Sequence, residues 1–395
     1  MRIALALLLV LSVAGRLHAQ PEPSGALEAL AIVPASALLH EHGGEVVFTD
    51  WAAAFASRGA EMPAAWSALG PQDSLTELAL TYPPGAPHEI VNHINLAEHY
   101  PELLGIDLFQ ITASVKFGDP AAPVLALKGE FVQELVQSAF SAQDYVVDAE
   151  HAAWLLLCPA EGCDQGTVGD PENRDPTNPF GGQFGRRQPA LLAVDYLISA
   201  ASQPVLVDVA RVLEGAGESL ASLREVQAVA ASLSGSEFLL NLTIVDPERL
   251  NPADAPPPLP DPGLAPGEAE AWLAELASEP LPHFPLFAFA SLVHSGVEHG
   301  RVILVYSEQQ QADLAAASLE ARLKTMPVFH GGQTFSEFWS RFGELTAISS
   351  EAAADMWVVT VQMSAPMQSR GRLGLPFNAL IMDVWDGHAL WVPSD

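Results

Sequence analysis

The sequence predicts an α+β fold of two sheet-and-helix lobes, and two observations carry that expectation. Stretches that alternate apolar and polar residues, as half-buried strands do, are interleaved with stretches whose apolar residues recur at helical spacing. Residues 246–267 then place 8 prolines in 22 positions. Proline removes an amide donor and locks its own torsion, so this stretch reads as an extended linker between the lobes. The expected organisation is a signal peptide at 1–19, an N-terminal lobe at 20–245, the linker, and a C-terminal lobe at 268–395.

The first nineteen residues start with Arg2, run apolar from Ile3 to Val13 and end on Ala19, the pattern of a secretory leader. After it, 24–33 reads as a weak helix. Glu45–Thr49 reads as a strand entering a helix capped by Asp50, and short helical pieces follow at 63–69 and 73–80. A helix is expected from His88 to His99, stopped by Pro101. Ile111–Phe117 and Val124–Leu127 read as strands. Phe131, Leu135, Val136, Ala139 and Phe140 define the buried face of a helix over 130–140, and Ala152–Leu157 is a strand.

Beyond the long loop, LLAVDYLISA predicts a hairpin turning at Asp195, followed by helices at 205–213 and 219–233. Glu237–Val245 predicts a strand with Phe238, Leu240, Leu242 and Ile244 on one face. Past the linker, the pattern gives a helix near 268–277 and strands at 284–291 and 301–306. A helix opens at Ser307 with Ala312, Ala316, Leu319 and Leu323 inward, and another lies at 334–342. The strand MWVVTVQM, a helix at 374–385 and a strand at Ala389–Val392 close the chain. VLALKGEFVQELVQSAF and VILVYSEQQQADLAAASLEARL share the strand-then-helix pattern expected of a diverged internal duplication.

Composition narrows the function. The chain has 395 residues, is 49% hydrophobic and carries a net charge of −31, so it is globular and strongly acidic. Without Arg2 and Arg16 the exported chain would stand at −33. Such a field repels phosphate backbones and anionic membrane surfaces, which argues against nucleic acid as a partner. No run after the leader approaches the roughly 20 apolar residues of a membrane-spanning helix. A secreted, periplasmic or cell-surface location is expected.

The least generic stretch is 158–189, about thirty residues of turn-formers where a handful would do. Its two cysteines, Cys158 and Cys163, have four residues between them; in an exported chain they are expected to form a disulfide that pins the start of the loop. A metal-binding pair is the alternative, but no other ligands stand at zinc-like spacing. Asp164, Asp170, Glu172 and Asp175, with Asn173, Asn178 and Arg174 among them, are candidate calcium ligands, although their spacing is not that of an EF-hand. Turns held by Asx hydrogen bonds are the competing reading. Gly181, Gly182, Arg186 and Arg187 suggest an anion-binding nest, against internal pairing of the arginines with carboxylates. Glu89 and His93 share a helical face and are the candidate zinc pair, needing a third ligand such as His99 or His40. His88 and His93 are one residue too far apart to share a face as the HExxH zinc motif requires. No GxSxG or phosphate-binding loop occurs.

The run DPTNPFGGQFGRRQP, with LFAFASLVHSGVEHGRVILVYSEQQQADLAAASLEARL, resembles exported bacterial two-lobed α+β proteins of unknown function over roughly 100–395. The resemblance implies a shared loop and no catalytic residue. The functional expectation is a non-catalytic binding or envelope-associated protein with a cell-envelope protein partner and no cofactor. The alternatives are a metal-assisted hydrolase using Glu89, His93 and the loop acids, and a calcium-stabilised surface module.

Overall fold

The computed structural model describes residues 24–39, 43–69, 82–92, 94–120, 122–250, 280–325, 333–368 and 372–385. The leader, the stretch at 73–80, most of the Pro-rich segment with the helix expected after it, and the strand expected at Ala389–Val392 lie outside the described residues.

The helices are α1 (Ser24–Leu30), α2 (Trp51–Ser57), α3 (His88–Val91), α4 (Tyr100–Leu103), α5 (Gln133–Ser141), α6 (Gln203–Leu213), α7 (Arg224–Ser232), α8 (Gln309–Thr325), α9 (Phe335–Trp339) and α10 (Leu375–Trp385). The strands are β1 (Glu45–Asp50), β2 (Ile111–Phe117), β3 (Val124–Gly129), β4 (Tyr145–His151), β5 (Trp154–Pro159), β6 (Ala190–Ala193), β7 (Tyr196–Ser199), β8 (Phe238–Val245), β9 (Leu286–His294), β10 (Val297–Tyr306), β11 (Glu344–Ala353) and β12 (Met356–Pro366). The fold is α+β: the 12 strands form one antiparallel sheet in the order β11-β12-β10-β9-β8-β1-β2-β3-β7-β6-β5-β4.

β8 and β9 flank the Pro-rich segment in sequence and are neighbours in the sheet, with Leu242 opposite Ala290 and Ile244 opposite Ala288. That segment therefore connects adjacent strands. From the centre outward, β1-β2-β3 and β8-β9-β10 repeat one order, and each ends in a hairpin whose later strand lies inside, β5 before β4 and β12 before β11. The first half differs by the β6–β7 hairpin inserted between β3 and β5. The strand–helix pairs singled out in the sequence, β3–α5 and β10–α8, hold equivalent places in these orders.

Helices cover both faces. On one, α1, α6 and α7 bury Leu30, Leu206, Val209, Val226 and Val229 against Phe48, Val115, Ile198, Ile244 and Ile303. On the other, α2 and α5 cover the first half through Trp51, Phe55, Val136 and Phe140. There α8, α9 and α10 cover the second half through Leu319, Leu323, Trp339 and Phe377. Between those two apolar clusters a row of buried polar residues crosses four central strands, Ser114, Thr49, Asn241 and Ser291, each opposite the next. Side-chain hydrogen bonds hold three of its members: Trp51 Nε1 donates to Ser114 Oγ at 3.0 Å, Asn241 Nδ2 to Thr49 Oγ1 at 3.4 Å, and Thr243 Oγ1 to Asn241 Oδ1 at 3.0 Å. Gly85, at φ 74°, closes over it; a Cβ there would collide with the Asn241 amide.

Several expectations change in detail. Pro101 starts α4 instead of ending a helix, because a proline in the first turn lacks only an amide that has no helical partner. Leu135 is 56% exposed while its predicted face-mates Val136, Ala139 and Phe140 are buried. A bulge between Leu239 and Asn241 breaks the alternation of β8, so Leu240 packs on Ala53 and Ala54 while Leu242 and Ile244 enter the opposite core.

Asp50 caps α2, its carboxylate accepting from Ala53 N at 2.7 Å. Burial nevertheless raises its pKa from 3.8 to about 6, against the lowering effect of that hydrogen bond. A carboxylate whose folded pKa lies above its unfolded value binds its proton more tightly when folded. Stability contributed by Asp50 thus grows as the pH falls from about 6 toward 3.8 and is lost as it rises again. Asp50→Asn keeps the cap without the charge, and is expected to raise stability at pH 7 by roughly 1–3 kcal/mol. It should also flatten the pH profile in that window, read from urea midpoints across pH.

Candidate functional site: the disulfide-pinned loop and its groove

The loop begins within β5, whose last two residues are Cys158 and Pro159. Cys158 and Cys163 are joined, as the sequence implied. From there to β6 the chain makes three short 3-10 turns, at Cys163–Thr167, Pro171–Asn173 and Gly182–Phe184. Side chains hold them. Asp170 accepts from Glu172 N at 2.9 Å and Asn173 Nδ2 at 2.6 Å; Asp175 accepts from Thr177 N at 2.9 Å; Asn178 accepts from Phe180 N at 2.8 Å. Gly185, at φ 66°, lies so close to Asp170 that a Cβ would strike its carbonyl.

No three of the candidate calcium carboxylates lie within 4.8 Å of one another. Asp170 and Asp175 cap local turns, while Asp164 is bound through its carbonyl by Thr167 Oγ1 at 3.3 Å and Glu172 through its amide. Among the described residues, the group in which three ligand-type atoms come within 4.8 Å is Asp148, Cys158 and Cys163.

The arginine doublet divides. Arg187 turns inward, donating to both oxygens of Glu161 at 2.9 and 2.7 Å and to the Gln143 carbonyl, with its guanidinium over the Tyr145 ring at 5.3 Å. It fastens the loop to β4 and the end of α5. Arg186 lies 5.0 Å from the centre of the Phe184 ring. Of the proposed nest, the Gly182 amide donates to the Asn178 carbonyl at 3.2 Å, and Gly181 sits at φ 77° with its carbonyl receiving Phe184 N.

Two features that are distant in sequence meet here. A groove of about 310 Å³ separates the loop from α3 and the β2–β3 turn, bringing Gly181 and Arg186 opposite His88 and Glu89. Pro120, Pro123, Pro179 and Phe184 give it apolar walls; Gln183 and Gln188 add amides. Glu89, buried, is held by Lys116 Nζ at 2.8 Å, and His88 Nδ1 stands 3.3 Å from Glu89 and 3.1 Å from Lys116. The carboxylate proposed as a zinc ligand is thus committed to a lysine. His93 lies outside the described residues.

A wider depression of about 650 Å³ at the β11–β12 end includes Ser336, Arg341, Glu344 and Ser364. Ser364 Oγ lies 2.8 Å from His299 Nδ1, across β12 and β10, and 2.9 Å from Thr346 Oγ1. Burial, then Arg301 and His294, lower the His299 pKa. Burial and the Arg301 charge oppose the imidazolium that a general base becomes, which favours a structural hydrogen bond over an activated nucleophile. Sequence reasoning missed this pair, because its members are 65 residues apart and meet through strand register.

No family model matches the chain, and no curated protein matches it. Among solved structures it is similar to one described as "Structure of crystal form I of TP0453", with 6% identity and a TM-score of 0.35 over 92% of this chain and 97% of that one. None of the helices among the described residues is long and apolar enough to cross a membrane.

Arg187→Ala removes the loop's ion pair, a carbonyl contact and a stacked cation together. Limited proteolysis should then cut within 160–186 at least several-fold faster, while the rest of the chain keeps its protection.

Proposed function

We propose that the protein is a non-catalytic binding protein working outside the cytoplasm, and that its ligand is an extended segment of a partner protein carrying an apolar side chain and a carboxylate. The groove between the disulfide-pinned loop and α3 carries this reading. It joins apolar walls from three prolines and Phe184 to Arg186 and His88, in a chain whose net charge is −31. A guanidinium in an acidic field selects both for a complementary carboxylate and for its place of docking. Phe184, 49% exposed beneath the Arg186 guanidinium, is the kind of aromatic–arginine anchor that concentrates binding energy. The disulfide supports an oxidising compartment, as does the leader pattern.

A displayed peptide library selected on the oxidised protein tests the proposal. Enriched sequences should pair an acidic residue with an apolar one. Their affinity should fall at least tenfold, about 1.4 kcal/mol, in Phe184→Ala and in Arg186→Glu. Peptides that bind both variants as tightly as the parent, or a selection enriching nothing, would overturn it.

A further inference from the structure

The cysteine pair has a third potential ligand that its sequence spacing does not reveal. β4 and β5 pair in register from Tyr145 opposite Pro159 to Val147 opposite Leu157, then shift by one so that Ala149 faces Leu156. Asp148 is the extra residue of this bulge. A bulge re-aims side chains, and here the carboxylate comes within 4.8 Å of both sulfurs. Gln203, the first residue of α6, donates to Asp148 Oδ2 at 3.1 Å and orients it. Cys158 and Cys163 are buried, whereas Asp148 is exposed, so the cluster has an apolar floor and an opening to solvent.

We propose that, once its disulfide is reduced, this cluster is a binding site for a soft or borderline divalent cation such as zinc, with Cys158, Cys163 and Asp148 as ligands and water completing the shell. The oxidised and metal-bound forms exclude each other. A dithiol reductant supplies two electrons and two protons to the Cys158–Cys163 bond and itself becomes a disulfide; the cation then displaces both thiol protons to solvent as the thiolates bind. Zinc holds thiolate at about 2.3 Å and carboxylate at about 2.0–2.2 Å, which in a tetrahedron sets ligand atoms about 3.3–3.8 Å apart. The Asp148 carboxylate is within about an ångström or two of that spacing already, and the sulfurs must move apart by a similar amount. Cys158 is fixed in β5 opposite Val146, and Cys163 opens the first turn of the loop. The ring they close is short, so reduction leaves the sheet without a large entropic penalty.

Cobalt(II) is the probe, because its thiolate charge-transfer absorption reports sulfur ligands directly. The whole chain, reduced with a dithiol that is then removed under anaerobic conditions, is titrated with cobalt and checked by far-ultraviolet circular dichroism. The expected result is one cobalt per chain with a thiolate band, no band in the oxidised protein or in Cys158→Ser/Cys163→Ser, and displacement by zinc. Asp148→Asn should weaken cobalt at least tenfold while keeping the native spectrum. A reduced, folded chain without the band would overturn the proposal. So would an Asp148→Asn variant that binds as tightly as the parent, or a reduced chain that loses its fold, since the site depends on the β4–β5 pairing.

Discussion

The pairing of β1 with β8 is the constraint on which the rest of the structure depends. β1 reaches across 192 residues to β8, setting Thr49 against Asn241. Outward of this pair each half of the sheet is built from its own run of chain, β2 to β7 on one side and β9 to β12 on the other, so the two halves of the sheet meet here. A polar row at such a seam specifies more than it stabilises. Sliding β1 by one residue against β8 would leave Thr49 and Asn241 without each other, and would carry Phe48 away from the face that holds Leu242.

From that seam the two halves extend in the same order to equivalent hairpins, and both outer strands are kept from open-ended pairing in similar ways. β4 carries Asp148 and Glu150 and bulges at Asp148; β11 carries Glu344 and Glu351 and bulges between Leu345 and Ala347. Charge and bulges are the usual protection of a sheet edge. At the β4 end the bulge has a further consequence, bringing a carboxylate to the cysteine pair. The loop that starts there is then fastened by Arg187 and folded back toward β3, where it makes one wall of the groove. Sheet edge, disulfide and groove are therefore successive parts of one path of chain.

Much of the interior was legible in the sequence and the margins were not. β2, β9, β10 and β12 are rich in Val, Phe and Ile and bury one or both faces, so their patterns are strong. β4, YVVDAEH, and β11, ELTAISSEAA, were not foreseen, because an edge strand that buries little has no apolar alternation to reveal it. The proline content of the segment between β8 and β9 says nothing about whether the strands on either side pair with each other. The same limit applied to the site. Gly181, Arg186 and Glu89 each stood out alone, yet their shared groove depends on β3 lying between the loop and α3. Asp148 gave no signal at all, since its position depends on a one-residue register shift.

Native-state hydrogen exchange across a denaturant series tests the central claim most directly. If the β1–β8 seam joins both halves into one cooperative sheet, peptides from β1, β2, β8 and β9 will converge on a single opening free energy, the highest in the molecule. Exchange that resolves instead into two opening free energies, one shared by peptides from β1 to β7 and another by those from β8 to β12, would contradict it.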